Sequence, residues 1–204
     1  MSNYIEETLA HLREPFIIYE DGTSQTCLSN HGRVGLYVER LFGIAPNRDR
    51  RPDFGNYELK TTQPNKQISI GTMPDSEFNR IKRETTYRFN SSDPYMKIKN
   101  TVVVVYTKLS NFKTPCYKMN GWGVINLESM SQHTKETLQE DYEFICKHIT
   151  RKCRTRDEVT ELLINAGTIS GSYLKLSYKG GGRDGYNYPA WGFQASFMKK
   201  IIHA

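Results

Sequence analysis

Cysteine is scarce in this chain of 204 residues, and the four present, Cys27, Cys116, Cys146 and Cys153, form no CxxC pair and have no histidine at zinc-ligand spacing. That argues against a disulfide framework and against a structural zinc site, so the cysteines are expected as free thiols. Long apolar runs are missing too. The longest, Val102 to Tyr106, falls far short of the roughly 20 residues a membrane helix needs. The start of the chain carries Glu6 and Glu7 where a secretory signal carries base. A cytoplasmic protein with no membrane segment is expected. There is no internal repeat and no long low-complexity tract, so organisation has to be read from periodicity and turn residues.

What the chain does have is positive charge. Lysine and arginine number 28 against 22 acids, a formal charge of +6, with a pI near 9.1. Such a balance favours a polyanionic partner, with nucleic acid the first guess. The length fits one domain over 1–204, or one domain with two lobes, and is enough to bury a real core.

Tyr4, Ile5, Leu9 and Leu12 predict a first helix over 3–12, and Leu36, Val38, Leu41 and Phe42 a second that Gly43 stops. A loop over 45–52 leads into strands over 54–62 and 67–72, joined through a turn at Pro64 and Asn65. A short helix is expected over 77–83. The β-branched run Thr101 to Tyr106 reads as a buried central strand with Trp122 to Asn126 as its neighbour. Leu138, Tyr142, Ile145 and Ile149 mark a helix over 135–150, and a shorter one over 157–166 ends at Gly167. Tyr173 to Tyr178 alternates like a strand, and Gly192 to Ile202 reads as a closing helix. The sum is an α/β fold with a central mixed sheet flanked by helices.

The chemistry is concentrated between Pro52 and Lys60. Residues two apart in a strand share a face, so Glu58 and Lys60 project together while Leu59 turns into the core. Asp53, across the turn at Gly55 and Asn56, folds back beside them. Two carboxylates converging on one point repel unless a cation lies between, and hard oxygen ligands with room for water suit magnesium. A neighbouring ammonium orients a water and stabilises charge building on a phosphate. Charges at such spacing also occur on solvated strands, so the string by itself leaves both readings open. Glu39 interrupts an otherwise apolar helix face just before the motif, where an unpaired carboxylate is costly to bury. It reads either as a fourth site residue or as a surface partner of Arg40 or Arg33.

The order Gly32, Val34, Gly35 and Glu39, then Leu41 to Ile44, Pro52 to Phe54 and Tyr57 to Thr62 resembles the PD-(D/E)xK nucleases of the MutH group. That group unites a mismatch-repair nicking enzyme with restriction enzymes that cut at GATC. The short spacing from Asp53 to Glu58 is also similar to the MvaI/BcnI restriction enzymes. Ile68 to Met73, Lys97 to Lys99, Glu140 to Tyr142, Ser172 to Leu174 and Trp191 to Phe193 follow in MutH-group order, so the resemblance covers most of the chain. It implies a restriction-endonuclease-like fold with the metal site at one edge of a DNA cleft, and a magnesium-dependent type II site-specific deoxyribonuclease leaving 5′-phosphate ends. A MutH-like nicking enzyme is the alternative, and a non-catalytic DNA-binding module on the same fold is the rival from another class. The resemblance implies that Asp53 and Glu58 hold the metal with the Leu59 carbonyl, that Lys60 serves the attacking water, and that Glu39 supports the site. Lys97 would sit near the scissile phosphate, with Lys99 its rival. Double-stranded DNA is the implied partner, a cognate DNA methyltransferase would be encoded alongside, and the enzyme would act as a monomer or homodimer. GATC is the target the resemblance suggests. The closing segment departs from the pattern, since Gln194, Ala195 and Ser196 follow Phe193 where the group has an aromatic residue and then a lysine pair.

Two further segments suit DNA. Lys147, Arg151, Lys152, Arg154 and Arg156 carry positive charge with no acid among them, which reads as phosphate contact or as a solvated helix end that complements the dipole. In Lys179 to Tyr188, three glycines let the backbone approach a groove, and Lys179, Arg183 and Asn187 are candidates for contact, the last two suited to guanine and adenine edges. A flexible hairpin loop is the competing reading there.

Overall fold

Four valines in a row, Val102 to Val105, are all buried, which requires cover on both faces of the strand that carries them. The computed structural model describes residues 2–10, 16–17, 33–44, 53, 56–109, 116–180 and 187–201. Its helices are α1 (Ser2–Ala10), α2 (Arg33–Leu41), α3 (Asp75–Arg83), α4 (Asp93–Ile98), α5 (Gln132–Lys152), α6 (Arg156–Ala166) and α7 (Ala195–Ile201). The strands are β1 (Phe16–Ile17), β2 (Glu58–Thr62), β3 (Ile68–Thr72), β4 (Asn100–Lys108), β5 (Cys116–Asn126), β6 (Ile169–Ser170), β7 (Leu174–Lys179) and β8 (Tyr188–Phe193).

They form two four-stranded sheets, ordered β1-β5-β4-β2 and β3-β8-β7-β6. The first is mixed, as expected, because β2 runs parallel to β4 with Leu59 opposite Val102 while β1 and β5 pair antiparallel. The second is antiparallel at β3/β8, β7/β8 and β6/β7, and periodicity had not separated it from the first. The closing helix is shorter than expected. Gly192 and Phe193 end β8, which is paired on both sides, and the helix begins only at Ala195. The loop expected over 45–52, Cys27 and Arg183 fall outside the described residues. Cys146 and Cys153 are free thiols. Among the described residues no helix is long and apolar enough to cross a membrane.

The chain divides into two units, one of Met1–Pro64, Asn100–Ile125 and Ile201–Ala204, the other of Asn65–Lys99 and Asn126–Lys200. In the first, Ile5 and Leu9 of α1 and Val34 and Val38 of α2 join Phe42, Ile44, Leu59, Val102, Val104 and Tyr117 in one core. Each such side chain contributes roughly 1.5–3 kcal/mol on burial. Gly35 lets α2 lie close to β2, since a Cβ there would stand 3.4 Å from Thr61 Oγ1. Gly43, with φ of 71°, ends the helix as expected, and the amide of Ile44 returns to the Glu39 carbonyl at 2.9 Å.

In the second unit α5 starts at Ser131, whose side chain accepts from the Thr134 amide, and buries Leu138, Tyr142, Ile145 and Ile149 on one stripe. Its far end is closed by Lys82, whose ammonium donates to the carbonyls of Thr150 and Cys153. Leu176 and Trp191 are paired across β7 and β8, and the Trp191 ring lies 5.3 Å from that of Tyr142 on α5. One face of the second sheet is therefore packed on α5. Asp141 ties the entry of β7 to the same helix by accepting the amides of Ser172, Tyr173 and Leu174 at 2.8, 2.6 and 2.9 Å. Glycine is required beside it, because a Cβ at Gly171 would come within 1.9 Å of Asp141 Oδ1.

Candidate active site

β2 begins at Glu58, so the alternation expected there holds. Leu59 is 3% exposed and belongs to the core of the first unit, while Glu58 and Lys60 share the other face and form an ion pair through Glu58 Oε1. The parallel bond pattern to β4 fixes their height along the strand, with Glu58 opposite Thr101 and Lys60 opposite Val103. Asp53 reaches the same place from the preceding bend. Its Oδ2 accepts the Leu59 amide at 2.8 Å, which anchors the carboxylate at the start of the strand between Glu58 and Lys60 in sequence.

Glu39 comes from α2, the helix that Gly35 allows close to β2. It is half-buried, and burial raises its carboxyl pKa above the ordinary 4.5. The negative charge of Asp53 adds to that rise, Lys60 opposes it, and Glu58 adds again. Asp53, Lys60 and Glu58 of the motif are thus the charges that act on Glu39 among the described residues. Three carboxylates and one ammonium carry a net negative charge of two when ionised, in a place where Glu58 is only 4% exposed.

Such a donor set suits a hard divalent cation. Carboxylate oxygens from Asp53 and Glu58, with the Leu59 carbonyl next to Glu58 in sequence, offer the few protein ligands that magnesium accepts while keeping its waters. Among the described residues no group of three or more His, Cys, Asp or Glu side chains is close enough to hold a metal ion by itself. A site built on two carboxylates and a carbonyl does not need one.

Lys97 belongs to the second unit. It stands in the last turn of α4 with its Nζ 3.3 Å from where a Cβ of Gly71 would be, so the glycine on β3 makes room for it. Lys99, its rival, faces Glu128 at 3.8 Å. Of the basic segment around the end of α5, Lys147 pairs with Glu143 at 2.5 Å and Arg156 with Asp75 at 3.1 Å, and Lys147, Arg151, Lys152 and Arg154 are all exposed. Lys179 is exposed at the end of β7. Asn187 is exposed just before β8, with its Oδ1 where a Cβ of Gly180 would intrude. Sequence reasoning passed over Lys175, a lysine only 5% exposed near the start of β7, although the alternation Leu174, Lys175, Leu176 was there to mark it.

Residues 13–194 match the MvaI/BcnI restriction endonuclease family. A solved complex of restriction endonuclease MvaI with its cognate DNA substrate is similar in fold, with a TM-score of 0.53 and 11% identity over 98% of this chain and 96% of that one. Comparison with curated proteins finds no match.

Proposed function

The chain belongs to the MvaI/BcnI restriction endonuclease family, a family of nucleases, and from that premise we propose that it is a type II enzyme hydrolysing phosphodiester bonds of double-stranded DNA with magnesium. The observation that carries this reading is the geometry at the start of β2, where Asp53 Oδ2 accepts the Leu59 amide at 2.8 Å beside the paired Glu58 and Lys60. Carboxylates gathered in this way suit a hard cation and a polyanion brought together by it.

Asp53 and Glu58 hold the magnesium, with the Leu59 carbonyl beside them. Bound there, the ion supplies Lewis acidity to the phosphate and lowers the cost of ionising water. Asp53 is kept in place by the Leu59 amide, so its free oxygen stays available. Lys60, leaning on Glu58, orients the attacking water and offsets charge building on the phosphate. Glu39 adds negative charge behind the two ligands. The water attacks phosphorus, the bond to the 3′ oxygen breaks, and the ends carry 5′-phosphate and 3′-hydroxyl. Lys97 serves the scissile phosphate. Arg151, Lys152, Arg154, Lys179, Arg183 and Asn187 contact the duplex, a cognate methyltransferase protects the host's own sites, and the protein works in the cytoplasm.

Asp53→Asn and Lys60→Ala are the test. Each is expected to lower magnesium-dependent cutting of plasmid DNA by about 10²–10³-fold or more, with calcium-supported binding retained. Cutting at the wild-type rate would remove the assignment. Fragment ends that cluster at one short sequence in both strands fit restriction, and nicks in one strand alone would move the reading to the repair type.

A further inference from the structure

Lys175 has no role in the site just described, yet its position is unusual. It is 5% exposed, and long charged side chains are almost never so enclosed without a partner. Among the described residues its ammonium has no hydrogen bond and no ion pair, and burial is what lowers its pKa below the ordinary 10.5. Among the described residues the side-chain polar atoms that are both enclosed and without a hydrogen bond are Glu84 Oε2, Arg156 Nε and Trp191 Nε1. Lys175 Nζ is not one of them, so the stem is buried while the head still meets solvent.

The strand register says which way it points. Leu174 and Leu176 pair with Phe193 and Trp191 on the face that packs on α5, and Lys175 pairs with Gly192 on the other face. Glycine is what admits the stem. A Cβ at Gly192 would stand 3.0 Å from Lys175 Cε and 3.6 Å from its Cγ, and 2.8 Å from the Ile68 carbonyl oxygen. The bare backbone of β8 thus forms a trough in which the lysine lies across the sheet, losing rotamer freedom before any ligand arrives. A buried lysine with no anion costs stability, and an apolar side chain of similar length would fit the trough at less cost.

From this we infer that Lys175 is a pre-positioned cation for a DNA backbone phosphate, placed by Gly192 on the face of the second sheet opposite α5. The inference rests on the reading of the chain as a DNA nuclease. Lysine acts as a point charge, which suits a phosphate oxygen, and the ordering cost is met on folding, so little is lost on contact. Lys175 is a binding residue here, separate from the group that serves the water.

The test is Lys175→Met, with Lys175→Arg alongside it, measured by calcium-supported binding to mixed-sequence duplex DNA over a range of salt. For Met, affinity is expected to fall roughly tenfold and the slope of log K against log salt to shrink by about 0.9, as for one phosphate released. Thermal unfolding is expected to rise, because the unpaired charge is gone. Arg should recover part of the slope. A Met variant that is more stable and binds with the wild-type slope would overturn the assignment and leave the nuclease reading untouched. A loss confined to the sequence the enzyme cuts, with the mixed-sequence slope unchanged, would also overturn it in favour of a base contact. A wild-type protein that binds no duplex at all would overturn both readings.

Discussion

Glu39 and Glu77 are both helical carboxylates drawn out of water, and burial is the first cause raising the pKa of each. Their surroundings then diverge. Glu77, 1% exposed on α3, receives Arg80 on both oxygens at 2.9 Å, the Tyr142 hydroxyl on Oε1 at 2.9 Å, and the Asp93 amide at 3.4 Å. Arg80 also reaches Glu84 and donates to the Tyr142 hydroxyl. The acid is held by donors from three elements. Among the described residues Glu39 feels Asp53 most, then Lys60, which opposes it, then Glu58, so two acids face one lysine. An acid saturated with donors is part of the scaffold, whereas acids gathered in excess mark a place where charge is to be supplied from outside.

Breaking the saturated side should have the largest effect on stability. Glu77→Ala leaves Arg80 and Tyr142 without their common acceptor in a packed interior and is expected to cost about 3–5 kcal/mol in urea unfolding. Protein that remains folded should still cut DNA at the wild-type rate. Asp141→Asn probes a second saturated acid, the one that accepts three consecutive amides at the entry of β7. It is expected to cost about 2 kcal/mol, because one amide oxygen cannot replace two charged ones. Native-state hydrogen exchange should quicken at Ser172 to Leu174.

The smallest stability change tests the under-neutralised side and has the opposite sign. Glu39→Gln removes one of three repelling carboxylates, so unfolding measured in EDTA should show a gain of about 1 kcal/mol. Magnesium should shrink that gain, since the wild type then binds the ion that offsets the repulsion. Cutting should fall about tenfold. A loss of stability in EDTA would mean that Glu39 is scaffold like Glu77, and the contrast between them would collapse.

Much of this was legible in the residues. The valine run announced β4 because four β-branched side chains in succession pack poorly in most other settings. The stripe on α5 announced itself through spacing, and so did the shared face of Glu58 and Lys60. The pairing of strands was not legible. β2 and β3 are consecutive and joined by a turn in which Asn65 takes a left-handed φ of 58°, yet they enter different sheets, because their partners β4 and β8 lie far along the chain. β8 was hidden for a different reason. It carries Pro189 and Gly192 in a strand paired on both sides, residues that local propensity assigns elsewhere. Gly192 is tolerated there because the Lys175 stem occupies the space a side chain would take. Asp141 was visible only as a member of a helix, since the amides it holds come from 31–33 residues further on.

The chain passes from one unit to the other at Pro64/Asn65, Lys99/Asn100, Ile125/Asn126 and Lys200/Ile201. Each unit is therefore stitched from separated stretches, and shortening the gene from either end removes chain from a unit without releasing the other whole. Asp53, Glu58 and Lys60 on one side and Lys97, Lys175 and Lys179 on the other are inherited as a single package. Exchange of one unit between related enzymes would have to splice at several joints at once, so new sequence preferences in such a protein are more readily reached by substituting single side chains than by trading modules.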